Sequence, residues 1–283
     1  MENISIGYWG QVRDRFKKNR VAMFFLGIIV FIILAALMAP ILAPYAEDAQ
    51  NNDALLQGIS AEHWFGTDQL GRDLLSRTLF GARVSMAVAI ITSLIAMFFG
   101  TALGAVSGYV GGRFDNLAMR IVDVLYSFPD LLLIIIISVV VGQGVFGIIL
   151  SLSLVSWITV ARVVRGEVLA IKHRPFVEAA RALGFKPTRI LFREVLPHAV
   201  APIIVTLTFR IPSVILAEST LSFIGLGLQP PASSWGVLAS SGWKAMTFYP
   251  HLILFPAGAI FLTILAFNVV GDGLRDAMDV RSK

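Results

Sequence analysis

Three groups of residues in this 283-residue chain have the types and spacing to do chemistry. His63 stands near Asp68 and Asp73, and a carboxylate that orients an imidazole makes a proton-transfer pair. The same residues also read as a helix cap and as surface ion pairs, and that structural reading is preferred. Arg210 and Glu218 are the only charges in residues 199–224, an otherwise uncharged run. A guanidinium there could hold a carboxylate and a carboxylate could hold an amino group; the alternative is a structural ion pair with a partner chain. On one helix the two would be separated by about 12 Å of rise and about 80° of rotation, so each needs a partner other than its companion. The third group is Glu178-Ala179-Ala180, Gly184 and, further on, Glu194-Val195-Leu196-Pro197. Its chemistry is recognition: small alanines allow close approach, Glu178 sits where a positive helix end favours it, and Arg181, Arg189 and Arg193 can pair with carboxylates. A basic stretch of this kind could also simply follow membrane topology and touch anionic lipid.

What is missing narrows the function further. With no Cys there is no thiol nucleophile, thiolate metal site or disulfide. His63, His173, His198 and His251 have no ligand spacing, so no resident metal is expected. No G-x-x-x-x-G-K-[ST] and no Gly-Lys pair occurs, so nothing here would cradle a nucleotide phosphate. A membrane-embedded protease would need Ser with His, or two Asp, at membrane depth, and Ser138, Ser151, Ser153, Ser156 and Ser213 have no such company near the span centres. No catalytic residue and no cofactor on this chain are expected.

A membrane has to position the three groups. Hydrophobic residues make up 57% of the chain and charged residues only 14%, against about 25% charged in soluble proteins. A span needs about 20 apolar residues. The runs that qualify predict an all-α polytopic membrane protein with six transmembrane helices, over residues 21–42 and about 84–104, 125–141, 146–164, 199–224 and 252–270. They divide the chain into an N-terminal segment 1–20, the first helix 21–42, a segment 43–83, a core 84–272 that includes the loop 166–198, and a tail 273–283. Residues 131–161 carry no charge and have Gly142-Gln143-Gly144 near their centre; positive charge decides that they hold two spans. With six, 18 of the 23 Lys and Arg fall on one side, the cytoplasmic side by the positive-inside rule, and five spans would throw the eight-charge loop outside. Both termini are then cytoplasmic and the protein is multi-pass in the cytoplasmic (inner) membrane. The net charge of +5 is an orientation signal, and no nucleic-acid partner is expected. The first apolar run is too long for a signal peptide and should remain as an anchor.

Two connecting segments carry their own structure. Residues 43–83 hold six acids against three arginines, with Trp64 and Phe65 suited to a membrane interface. Thr67 or Asp68 can cap a helix, and Leu70, Leu74, Leu75 and Leu79 form a stripe that predicts an amphipathic helix lying on the outer membrane surface. In the loop 166–198, Pro175 starts a short helix, Gly184 ends it, Pro187 begins another, and Pro197 marks re-entry into the membrane. Asp123 and Asp130, which flank the third span near Pro129, read as caps or as inner-gate charges, the caps being preferred; Pro202, Pro212 and Pro256 can kink their spans.

Glu178-Ala179-Ala180, three residues, Gly184, nine residues and Glu194-Val195-Leu196-Pro197 resemble the EAA loop of permease subunits of binding-protein-dependent ABC importers, with Glu194 where the general pattern has Ile. The outer stretch Gly66, Thr67, Asp68, Gly71, Arg72, Asp73, the runs 221–227 and 234–236, Pro230-Pro231 and the run 268–276 are similar to the C-type permease of the dipeptide, oligopeptide and nickel group. The likeness spans nearly the whole chain. It implies a type I ABC importer permease fold and uptake of di- or oligopeptides, with nickel chelates or glutathione-like peptides as alternatives. A self-sufficient channel or proton-driven carrier is the other rival. The resemblance further implies a second homologous permease, two ATPase subunits that carry ATP and Mg, an extracytoplasmic substrate-binding protein and surrounding membrane lipid as partners. In it, Glu178, Ala179, Ala180, Arg181, Gly184, Leu196 and Pro197 belong to the ATPase-coupling loop, and Arg210 and Glu218 are candidates for the cavity or a gate.

Overall fold

The computed structural model describes residues 7–229 and 232–279. Pro230, Pro231, Arg281 and Lys283, which carry motif or charge signals in the sequence, lie outside the described residues. Among the described residues the regular structure is helical: α1 Tyr8–Lys18, α2 Arg20–Leu37, α3 Leu74–Val110, α4 Gly112–Tyr126, α5 Asp130–Val141, α6 Val145–Ile171, α7 Pro175–Ala182, α8 Pro187–Phe223, α9 Trp235–Trp243 and α10 His251–Met278. Five of these, α2, α3, α6, α8 and α10, are long and apolar enough to cross a bilayer, and the bent pair α4 and α5 makes a sixth span if taken as one.

Four elements differ from their expected form, each for a local reason. The amphipathic surface helix does not form separately. Leu74, Leu75 and Leu79 instead occupy the first turns of α3, which Asp73 caps through Ser76 and which contains no proline up to Val110. At 37 residues α3 is about 55 Å long, well beyond the about 30 Å of a hydrocarbon core, so its ends stand outside the membrane. The third span is broken. Pro129 forces the chain before it out of helical geometry, and α4 and α5 meet at 87°. The helix expected to begin at Pro187 does not stop before the fifth span; it continues through a π-wound turn, Leu191–Val195, into α8. Finally, the expected tail is helical to Met278 and packed: Ala277 and Met278 are buried against Val12 of α1, and the Tyr8 hydroxyl donates to the Met278 carbonyl at 3.2 Å.

The core is built around α3 and α6. Gly100, Gly104 and Gly108 recur every fourth residue along α3, which places them on one face, and this face meets the α6 backbone. A Cβ at Gly100 would lie 2.5 Å from that of Val160, one at Gly104 2.4 Å from the Ala161 carbonyl oxygen, and one at Gly108 3.0 Å from that of Arg165. At the end of this contact Lys172 Nζ donates to the Gly108 carbonyl at 2.8 Å, and Arg165 grips Asp115 of α4 with two bonds of 2.6 and 2.7 Å.

Gly104→Ala should therefore destabilise the purified chain by about 1–3 kcal/mol through overpacking. Gly27→Ala, on an α2 face with nothing within 4 Å, should cost nothing. Thermal unfolding in detergent checks both, and equal midpoints would contradict the packing described.

Candidate functional site

The helix α7 is delimited by its own punctuation. Arg174 is held extended by the proline that follows, and Pro175 occupies the first turn, where no N–H is required. At the other end Gly184 takes φ +77°; its N–H bonds the Arg181 carbonyl at 2.9 Å and the Phe185 N–H bonds the Ala180 carbonyl at 3.2 Å. These bonds satisfy carbonyls the helix itself leaves open, and they require a left-handed residue at 184, where a side chain is strained even in open space.

One face of α7 is fixed to the chain and the other is free. Val177 and Ala180 pack with Ile171, Ile190, Leu191 and Val195, and the Phe176 ring stacks on His198 at 4.4 Å. Glu178, Ala179, Arg181, Ala182 and Leu183 are exposed. The two motif alanines thus divide: Ala180 lets α7 approach its own chain, and Ala179 alone is offered outward. Glu178 lies 3.5 Å from Arg181 and 3.9 Å from the His173 ring, exposed contacts worth under about 1 kcal/mol. Leu196 and Pro197 lie within α8, Leu196 half-buried and Pro197 exposed. Pro197 cannot donate, and the turn before it is π-wound, the Leu196 N–H bonding Leu191. Leu196 packs on the cluster that seats α7.

Deeper in the bundle, Arg210 lines a cavity of about 270 Å³ with Asp130, Leu131, Ser156, Ser213 and Thr220. Counted along α5, α6 and α8 from the end of the bundle opposite α7, Asp130, Ser156 and Arg210 all lie about 16–20 Å down. The break at Pro129 is what puts a carboxylate at this depth. Asp130 makes no side-chain cap bond, contrary to expectation; Pro129 holds the cap position, and Asp123 lies 3.6 Å from Arg162. Arg210 donates to the Ser156 carbonyl at 2.9 Å, so the cavity carries both signs of charge.

Glu218 does not join Arg210. It is 1% exposed and its Oε1 accepts from the Ser222 hydroxyl at 2.9 Å and the Ser234 hydroxyl at 2.6 Å. Ser234 caps α9, and the neighbouring Trp235 donates its indole N–H to the Thr78 carbonyl of α3 at 3.0 Å. Glu218 thus anchors the connection between α8 and α9 to the bundle.

The segment 43–73 is held mainly by polar bonds. Asp73 caps α3, its Oδ2 accepting from the Ser76 N–H and hydroxyl at 2.7 Å each, while Oδ1 meets His63 Nδ1 at 2.9 Å. Asp68 accepts from the backbone N–H of Leu70 and Arg72 at 2.8 and 3.1 Å, from Arg72 Nε at 2.8 Å and from Arg77. The Thr67 hydroxyl accepts from Gln57 at 2.8 Å and donates to the Ala54 carbonyl; Gly66 and Gly71 take positive φ in the adjoining turns. The roles are caps and ion pairs, with two corrections: the cap is Asp73, and the pairs are buried or, at Arg72, partly buried. His63 is 3% exposed and enclosed with Asp73, and this burial favours the structural reading of the pair over proton transfer.

Two functional contacts escaped the sequence reading. The Asp115–Arg165 pair joins residues fifty apart and has no local signature. The four-residue glycine repeat of α3 did have one.

Both the sequence and the fold have known relatives. Residues 100–283 match the family described as binding-protein-dependent transport system inner membrane component, and residues 7–58 match the N-terminal TM domain of oligopeptide transport permease C. The oligopeptide transport system permease protein OppC of Bacillus subtilis (strain 168) is 44% identical over 275 residues, 97% of this chain and 90% of that protein. The dipeptide permease DppC of the same organism is 44% identical over 276 residues, 97% of this chain and 86% of its own length. The glutathione permease GsiD of Escherichia coli (strain UTI89 / UPEC) is 43% identical, covering 97% and 91%. In fold, the chain is similar to the inward-facing MetNI methionine ABC transporter, with a TM-score of 0.60 at 18% identity over 72% of this chain and 96% of the other.

Replacing Glu218 by Ala should release residues 225–229 and 232–234. Loss of the anchor leaves buried hydroxyls unpaired at about 1–3 kcal/mol, so limited proteolysis there should speed up by about tenfold or more. Unchanged cleavage would show that Glu218 anchors nothing.

Proposed function

The chain belongs to the family of binding-protein-dependent transport system inner membrane components, and from that premise we propose that it is the permease subunit of a peptide-importing ABC transporter. The observation that carries the mechanism is the two-sided α7: its inner face is locked to α6 and α8 while Glu178, Ala179, Ala182 and Leu183 stand free. A partner that grips the free face moves the spans with it, because Val177 and Ala180 leave α7 no independent motion. The chain itself has no phosphate-binding motif, so ATP and Mg bind on two partner ATPase subunits, whose closure is delivered through α7 as a rigid-body rotation.

In this reading the α7 end of the bundle and both termini are cytoplasmic, in keeping with the positive charge gathered there. A second homologous permease supplies the other half of the pathway, and an extracytoplasmic binding protein delivers cargo to the side of residues 43–73. The names of the relatives, oligopeptide, dipeptide and glutathione permeases, favour a peptide cargo. The cavity offers that cargo complementary ends, Arg210 for a carboxylate and Asp130 for an ammonium group.

Gly184→Val and Glu178→Lys should each leave membrane insertion intact and lower ATP-driven peptide uptake by about tenfold or more, Gly184→Val by straining the turn that ends α7 and Glu178→Lys by reversing charge on its free face. Uptake assays with co-purification of the ATPase test this. Normal uptake and assembly in both variants would refute the coupling role, and flux by the purified chain without ATP would favour a channel or carrier.

A further inference from the structure

Arg189 and Arg193, which the sequence offers to carboxylates, border a second surface of α8 that the free face of α7 does not include. Just before the helix enters the membrane, Thr188, Arg189, Phe192 and Arg193 line an open polar recess. Phe192 also closes an apolar groove of about 540 Å³ against Leu94, Phe98, Ala102 and Val106 of α3. The recess and the groove therefore share one wall, the Phe192 ring. Arg189 and Arg193 are four residues apart and share a face of α8. The Arg189 guanidinium lies 3.9 Å from the Phe185 ring centre, and no described carboxylate pairs with either arginine. Their charge is uncompensated at a membrane edge.

The groove has the dimensions of one leaflet. From Leu94 to Val106 α3 rises about 18 Å, against about 15 Å for half of an about 30 Å hydrocarbon core. Phe98 and Phe192, 70% and 65% exposed, flank it and present apolar surface to whatever fills it.

We propose that this site binds one anionic phospholipid, with its phosphate on Arg189 and Arg193 and an acyl chain along α3. A zwitterionic lipid would fill the groove but forgo the charge, and a soluble anion would meet the charge but leave the groove empty. The inference rests on α3 and α8 crossing the membrane and is independent of the cargo and of the ATPase contact. About 1 kcal/mol per arginine corresponds to about a thirtyfold preference over a zwitterionic lipid of equal chain length.

Native mass spectrometry of the full-length chain, titrated with phosphatidylglycerol or phosphatidylcholine carrying the same acyl chains, tests the proposal. The expected result is a single bound phosphatidylglycerol favoured by about thirtyfold, a preference that shrinks to about threefold or less in R189Q/R193Q. R189K/R193K, and R113Q at an exposed basic position elsewhere, should keep it. Ala102→Trp, which fills the groove from an exposed position, should weaken both lipids together by about tenfold or more. A preference that survives R189Q/R193Q, lipid binding indifferent to Ala102→Trp, or displacement of phosphatidylglycerol by an equal concentration of inorganic phosphate would each overturn it.

Discussion

On one face of α3, over three successive turns, a side chain would meet α6: Gly100 and Gly104 leave no room for one and Gly108 almost none. Lipid tails are as apolar as leucine, so two helices in a bilayer gain little by hiding apolar surface from each other; close packing must hold them. Glycine allows the backbones to approach until van der Waals contact is continuous, and this single contact sets the places of the neighbouring elements. It brings Lys172 over the Gly108 carbonyl and Arg165 onto Asp115, which fixes the level and direction of α4. It also creates the apolar floor, Ala105 with Val164 and Val168, on which the α7 cluster is built. A side chain in the glycine face would push α6 outward and take the seat of α7 with it.

The same geometry explains how charges are tolerated inside the bundle. Asp130 reaches the level of Arg210 because α5 has only 12 residues, too few to cross the membrane, and begins at the break after α4. Arg210 and Glu218, eight residues apart on one helix, have opposite surroundings. The former borders open space shared with an acid and a serine carbonyl, and the latter is enclosed by hydroxyls that belong to α8 and the cap of α9. One faces an open cavity, and the other holds the bundle's far end together.

The membrane class was legible in composition and four spans in apolar run length, since both follow from transfer of side chains into hydrocarbon; the span of α6 was legible only through the placing of positive charge. The ends of α7 were legible because proline and glycine impose their own backbone geometry at Pro175 and Gly184. What composition could not reveal was where a helix continues. Residues 43–83 carry a true amphipathic stripe, yet Asp73 caps a helix that runs on through the apolar segment, and local periodicity has no term for that continuation. Likewise Asp130 looked like a cap because its neighbour is proline, and only the placing of α5 against α6, across a cavity from α8, turned it into a cavity wall. Ala179 and Ala180 are chemically identical in sequence; the position of the α8 cluster decides which faces out.

The central claim is that α7 transmits motion because one face belongs to the spans and the other to a partner. The chain contains no cysteine, so single cysteines can be introduced along α7 without background. Alkylation of cysteines at Ala179, Ala182 and Leu183 should be fast in the isolated subunit and blocked in the assembled, ATPase-containing complex, while cysteines at Val177 and Ala180 should react slowly in both. Equal reactivity at Ala179, Ala182 and Leu183 with and without the ATPase subunits would contradict the account.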